Sequence, residues 1–349
     1  MPGPLRDPAE DLRRIAFCLE RALEPSYRVK AFRTAAGVVD RTPHSELVER
    51  VTLGTLTELT GIGKVTAQVI LESLEGQEPV YLRRVQTLGD TPVTEGAAAL
   101  QAALLGDCHV HSDWSDGGSP IREMAEAAIG LGHDYIVLTD HSPRLTVARG
   151  LSADRLREQL VVVAELNEQL APFRILTGIE CDINLDGSLD QEPELLASLD
   201  LVVASVHSKL RMGREDMTAR MVAAISNQHT DVLGHCTGRM VLGKGRPESE
   251  FDADLVFAAC ASFGVAVEVN SRPERLDPPK RLLRLALEAG CMVAIDTDAH
   301  APGQLSWQPY GCERAYLCGV TAERVVNAWN AEALLSWTGR AAAGRPAAT

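Results

Sequence analysis

His109-Val110-His111 and Asp116 are the first residues whose types and spacing suggest chemistry. They come at the end of a short apolar run, 107–110. Successive side chains of a strand alternate between its faces, so His109 and His111 point the same way. From one strand end they can grip a single cation, and Asp116 can reach a second from the loop beyond. Two histidines at this spacing can equally be two solvated rings. The choice turns on whether other segments supply partners at similar positions.

Other segments do supply them. Apolar runs at 107–110, 135–138, 174–178, 201–206, 231–233, 265–269 and 292–295 each end in a candidate ligand or polar anchor. After the first come His109, His111 and Asp116, and after the second Asp140 and His141. Glu180 and Asp182 follow the third, His207 the fourth and His235 the fifth. Glu268 and Asn270 close the sixth, and Asp298 and His300 the seventh. Of nine histidines in the chain, only His44, His133 and His229 lie elsewhere. One such histidine alone reads as a satisfied core residue; six at equivalent positions do not. Neutral imidazoles with carboxylates are what borderline divalent metals take. The six histidines with Asp116, Glu180 and Asp298 suffice for three ions if one carboxylate is shared.

The elements that must position these groups follow from the spacing between them. Helical patterns fill 120–131, 153–170, 215–228, 252–263 and 279–289, with a shorter one near 192–198 and one or two closing helices in 321–338. Alternating strands and helices imply parallel strands with crossover helices. Seven cycles are barrel-like, and β/α barrels carry their catalytic groups at the C-terminal strand ends. An open doubly wound sheet is the alternative. Asp252-Ala253-Asp254 lies at a helix start and reads as a cap.

The first hundred residues differ. Leu12, Ile15, Leu19 and Leu23 mark a helix over 10–24, stopped by Pro25; Val29, Phe32, Ala36 and Val39 mark another over 27–39, and a short third lies near 46–51. Arg28, Lys30 and Arg33 lie off the apolar face, as a solvated side or a phosphate contact. Gly61-Ile62-Gly63-Lys64 then joins two helices. Glycines permit a tight turn, and the new helix start offers N–H groups to a phosphate, with Lys64 and Thr66 adding side chains. A plain connector is the other reading. Residues 89–103, with Gly89-Asp90-Thr91-Pro92 and an alanine-rich tract, read as a linker. The expected domains are therefore 1–88 and 104–349.

Net charge is −14: the first hundred residues hold 12 basic and 14 acidic groups, and the rest carry −12. This argues against strong nonspecific nucleic-acid binding by the whole chain, but leaves room for a local contact from the nearly neutral first part. No apolar run is long enough to span a bilayer, and the start has no charged-then-apolar signal pattern, so a cytoplasmic address without a membrane partner is expected. Eight scattered cysteines without a C-x-x-C pair read as buried free thiols. Cys108, Cys181 and Cys236 adjoin candidate ligands, but packing of strand ends is the expectation for them.

Two resemblances rest on these residues. Tyr27-Arg-Val-Lys-Ala-Phe-Arg-Thr-Ala-Ala36 and Leu56-Thr-Glu-Leu-Thr-Gly-Ile-Gly-Lys64 resemble the small N-terminal domain of bacterial family X DNA polymerases, over residues 10–85. This implies a helix-hairpin-helix that clamps a DNA backbone through Gly61, Ile62, Gly63, Lys64 and Thr66. The catalytic palm of those polymerases has no counterpart. The phrases Asp-Cys-His109-Val-His111…Ser115-Asp116-Gly, Leu-Thr-Asp140-His141, Gly-Ile-Glu180, Ser-Val-His207, Gly-His235 and Asp298-Ala-His300 resemble the polymerase and histidinol phosphatase (PHP) family, over residues 104–305.

That second resemblance implies a fold and a site. The fold class is α/β: a distorted (β/α)7 barrel, here preceded by a small all-α helix-hairpin-helix domain. The implied site is trinuclear. His109, His111, Glu180 and Asp298 would hold one metal; Glu180 would bridge to a second held with His207 and His235; Asp116, His141 and His300 would hold the third. Some members have His where this chain has Asp116, so zinc, manganese and iron all remain open, with two to three divalent ions expected. The implied reaction is phosphoester hydrolysis by metal-bound water held by Glu180, His109, His111 and Asp298. Two metals roughly 3.5–4 Å apart can activate such a water and clamp the attacking and leaving oxygens. Asp140 and Asp182 would orient ligand imidazoles or cap strand ends. Arg144, Lys209, Arg239, Asn270 and Arg272 follow strand ends and are the candidates for substrate phosphate.

Taken together, the resemblances point to DNA ends as substrate, by 3′-phosphatase or 3′–5′ exonuclease action in DNA repair. A small-molecule phosphatase of the histidinol-phosphate type is the alternative, and suits the acidic part of the chain. A non-catalytic DNA-binding scaffold is a third reading, against which the complete ligand set counts.

Overall fold

The computed structural model of the chain describes residues 6–89 and 93–339. Two compact units divide at residue 91. In the first, the described helices are α1 (Pro8–Arg21), α2 (Ser26–Arg41), α3 (His44–Leu53), α4 (Lys64–Leu74) and α5 (Val80–Val85). The apolar stripes read from the sequence meet in one core of Leu12, Ile15, Leu19, Phe32, Leu47, Ile62, Val69 and Leu82. Leu23 departs from expectation. The helix ends at Arg21, and Leu23 is 40% exposed with a φ of 56°. The six-residue α5 is too short to leave a periodic signal.

The Gly61–Gly63 turn has a specific cause. Gly61 has a φ of 97°, and a Cβ there would stand 2.9 Å from Thr34 Cγ2, so only glycine fits. The Gly63 N–H donates to Thr66 Oγ1 at 2.9 Å, closing the start of α4. Ile62 and Thr66, expected as backbone-clamp contacts, are buried and serve the core and the turn instead. Gly61, Gly63 and Lys64 are exposed. Arg33 is ion-paired with Glu20 at 2.8 Å, and Arg28 with Glu24, which leaves Lys30 exposed on the flank of α2.

The second unit starts with a correction. Residues 95–103, expected as linker, form helix α6 (Glu95–Ala103), capped by Thr94. Ala97 and Leu100 pack against Cys312, Ala315 and Val320, and Gly96 makes room for the Tyr316 ring. An alanine tract is a good helix former but carries no apolar periodicity, so the pattern reads as a spacer.

Seven parallel strands follow in sequential spatial order: β1 (Gly106–Val110), β2 (Tyr135–Leu138), β3 (Arg174–Asp182), β4 (Leu201–Ser205), β5 (Val232–Leu233), β6 (Ala266–Asn270) and β7 (Val293–Asp296). The crossover helices are α7 (Ile121–Gly130), α8 (Ala153–Leu170), α9 (Pro193–Leu196), α10 (Arg214–Ile225), α11 (Ala253–Phe263) and α12 (Lys280–Glu288). Then come α13 (Gln308–Leu317) and α14 (Ala331–Trp337). Strand side chains alternate: Tyr135, Val137, Leu201 and Val203 share one cluster, while Ile136 and Leu138, and Val202 and Ala204, pack in two others with the helices. Burial on both faces is why the strands read as continuous apolar runs.

The sheet curls until β1 meets β7, which decides for a nearly closed barrel over an open sheet. The seam is irregular. Val110 bridges Ala299, the Cys108 N–H donates to Asp296 Oδ1 at 2.8 Å, and the Thr297 hydroxyl donates to Asp107. Between Asp107 and Val110 the β1–β2 register shifts, a bulge at the strand that carries His109 and His111. Asp252 caps α11 by accepting from the Leu255 N–H, as expected. Among the described residues, no helix is long and apolar enough to cross a membrane.

Candidate metal centre

Strand ends bring eight of the nine expected ligands together as buried or nearly buried groups, with Asp116 at the rim. Glu180, at the end of β3, is the centre. Its Oε2 lies 3.4 Å from His109 Nε2, 3.7 Å from His111 Nε2 and 2.8 Å from His141 Nδ1. Its Oε1 lies 2.9 Å from His235 Nε2 and 3.2 Å from His207 Nε2. Asp298 Oδ1 stands 3.4 Å from His111 Nε2 and 4.0 Å from His109 Nε2. Asp116 Oδ1 lies 3.5 Å from His141 Nε2 and 3.3 Å from His300 Nε2. His111 also falls in this last group, its ring 4.1 Å from that of His300.

The donor set fits divalent cations. Donors about 2.1 Å from one ion in a tetrahedron stand roughly 3.4 Å apart, which matches these separations. His109 Nε2, both ring nitrogens of His111 and of His207, His235 Nδ1 and Glu180 Oε2 are buried without a hydrogen-bond partner. Buried polar atoms are seldom left so in a protein that binds nothing there. Asp298 has a φ of 54°, a conformation that a non-glycine residue holds only when its surroundings impose it.

Charge is strongly organised at the centre. Burial disfavours the Glu180 carboxylate, yet His207, His109 and His141 outweigh it and hold the carboxyl well below its usual range. Burial likewise opposes charge on Asp298, and His111, His109 and Arg275 overcome it. Against burial, Glu180 and Asp182 push His207 up to about 9. His111 is driven well below its usual value by burial, with His300 and His141 adding to the effect.

The supporting groups partly differ from expectation. Asp182 lies 3.5 Å from His207 Nδ1 and accepts the His207 backbone N–H. Asp140 touches no ligand ring. It accepts from the Ser112 N–H at 2.8 Å, Ser112 Oγ at 2.6 Å, Ser115 Oγ, and Gln159 Nε2 at 2.6 Å, and so fixes the loop between His111 and Asp116. The ring of His109 is oriented by Glu268, 2.6 Å from Nδ1. Cys108, Cys181 and Cys236 are buried, with their thiols pushed up by burial, and belong to none of the metal-holding groups.

Of the phosphate candidates, Arg272 reaches the site, with Nη1 3.5 Å from His300 Nδ1 and the guanidinium over Trp307. Asn270 donates to Asp298 Oδ2 at 3.2 Å. Arg144 is half-exposed beside Asp182, and Lys209 is exposed. Arg239 is a correction: it donates to the carbonyls of Arg275 and Leu276 and fastens the loop after β6. The guanidinium that loop presents is one the sequence reading missed. Arg275 Nε lies 3.2 Å from Asp298 Oδ2. Its signal was the second cation in Arg272-Pro-Glu-Arg275, five residues past Asn270 at the strand end.

A barrel with this set of histidines and carboxylates at its C-terminal strand ends is suited to hold divalent metal ions. Residues 107–272 match the family model of the PHP domain. The chain is 40% identical over 225 residues to the DNA polymerase/3′–5′ exonuclease PolX of Bacillus subtilis; the match covers 64% of this chain and 39% of that protein. It thus spans about two fifths of the length of that relative. A probable phosphatase of Thermoanaerobacter sp. is 27% identical over 235 residues, covering 64% of this chain and 90% of that one. A histidinol phosphate phosphatase structure from Lactococcus lactis, complexed with zinc, L-histidinol and phosphate, aligns with a TM-score of 0.48 at 18% identity, covering 62% and 94%.

Proposed function

We propose that the chain hydrolyses phosphoesters at DNA ends, as a 3′-phosphatase or a 3′–5′ exonuclease. The observation that carries the hydrolytic half is Glu180, one buried carboxylate whose two oxygens face two separate groups of ligand nitrogens. We assign His109, His111, Glu180 and Asp298 to one ion, Glu180, His207 and His235 to a second, and Asp116, His141 and His300 to a third. Ions held there would supply an activated water and charge neutralisation at the phosphoryl group. Arg272 and Arg275 sit where a phosphate oxygen approaching Asp298 and His300 can be held, and Asn270 keeps Asp298 in place. The half-exposed Asp116 leaves that side of the cluster as the mouth.

The DNA half is supported by the higher identity to the exonuclease-bearing relative than to the probable phosphatase. The Gly61–Gly63 turn, with its exposed Lys64 at the start of α4, suits a helix-hairpin-helix grip on a DNA backbone. The test is a side-by-side assay of protein loaded with Mn²⁺ or Zn²⁺ on end-labelled DNA and on a small phosphomonoester. Release of phosphate or nucleotides from DNA 3′ ends is expected. Hydrolysis of the small ester alone overturns the DNA half and leaves a small-molecule phosphatase. Lys64→Ala is expected to weaken DNA binding without changing small-ester turnover. The slope of log K against log salt should fall by about 1 in magnitude. An unchanged slope removes Lys64 from the contact.

A further inference from the structure

Glu268 sits in β6, wholly buried, beneath the ligand cluster. No lysine or arginine donates to it among the described residues, although a buried carboxylate ordinarily requires a cation or several donors. Three N–H groups converge on it instead. Oε1 lies 2.6 Å from His109 Nδ1. Oε2 accepts the backbone N–H of His235, and Asn270 Nδ2 at 3.3 Å. The same Asn270 amide donates to Asp298 Oδ2 at 3.2 Å.

We propose that Glu268 is a positioning residue that sets two of the metal groups at once, by fixing the tautomer of His109 and the backbone of His235. The proposal rests on the ligand assignment above. A carboxylate at 2.6 Å takes the Nδ1–H of His109, which leaves the Nε2 lone pair facing Glu180 and Asp298. The second oxygen holds the His235 backbone, and with it a ring 2.9 Å from the other oxygen of Glu180. His109 lies in β1 and His235 follows β5, two strands that are not neighbours in the sheet. One side chain from β6 therefore sets the distance between them.

The isosteric Glu268→Gln tests this because an amide cannot accept on both arms. If its NH₂ faces His109, the ring must accept at Nδ1 and carry its proton on Nε2, which blocks that donor. If the NH₂ faces the His235 N–H, two donors oppose each other and the backbone shifts. Metal content after equilibrium dialysis against graded Zn²⁺ is measured for wild type and Glu268→Gln. Affinity at one or both Glu180 sites should fall roughly 10–100-fold in the variant, while the Asp116 group keeps its ion. Wild type that holds no metal defeats the ligand assignment itself. Wild type that holds metal alongside a variant with unchanged stoichiometry and affinity overturns the role of Glu268 alone. If the variant does not fold, the imidazole ¹⁵N shifts of zinc-loaded wild type decide. A proton on His109 Nδ1 is expected, and a proton on Nε2 overturns the proposal.

Discussion

Glu180→Gln loses turnover on every phosphoester by more than about 10³-fold, which is about 4 kcal/mol of barrier. The size of the expectation comes from geometry. The carboxylate is 1% exposed, and its two oxygens together face His109, His111, His141, His207 and His235. Among the described residues, no other side chain is within ion-pair distance of all five. The amide keeps the volume but loses the charge that these imidazoles face, and it retains one acceptor where two groups need one each. Metal analysis on the same sample should find ions missing from the shared pair first. A variant that keeps wild-type kcat/KM with a full complement of metal sinks the reading of Glu180 as the bridge.

Asp140→Ala acts by a different route. Asp140 is 1% exposed and accepts from five side-chain or backbone groups of Ser112, Ser115 and Gln159. Alanine leaves those donors buried without acceptors, at a cost of about 2–4 kcal/mol. The loop so released runs from His111 to Asp116. Urea unfolding of the metal-free protein should therefore report the loss of stability. Metal analysis of the loaded protein should find the Asp116, His141 and His300 group depleted, with the Glu180 pair less affected. Unchanged stability would contradict the role given to Asp140. Depletion of all three groups together would show that it acts beyond the loop.

How much was legible depended on what fixes each feature. The strands were legible because burial on both faces leaves a continuous apolar run, and the ligands because each run stops at a histidine or carboxylate. Helix α13 was not. Pro309 and Gly311 argue against a helix, yet a Cβ on Gly311 would stand 2.2 Å from Ser271 Oγ, so close packing demands the glycine. The orientation of groups beyond the strand ends was equally hidden. Arg239 and Arg275 look alike in sequence, and only the loop after β6 decides that one fastens backbone while the other faces Asp298. Asp140 and Asp182 follow neighbouring strands at similar positions, yet one holds a loop and the other an imidazole.

The seam between β1 and β7 has a consequence for the unfolded chain. Asp107 and Thr297, which meet there, are 190 residues apart in sequence. His109 and His111 stand on one side of that join and Asp298 on the other, so a cation held by all three is a reversible cross-link across nearly the whole barrel. An ion that binds the folded barrel and not the unfolded chain stabilises it by RT ln(1 + [L]/Kd), about 4 kcal/mol at a thousandfold excess over Kd. Chelation should accordingly lower the Tm of the barrel by roughly 10 °C or more, and readdition of metal should restore it. A calorimetric transition that metal removal leaves in place would mean that side-chain hydrogen bonds alone hold the seam.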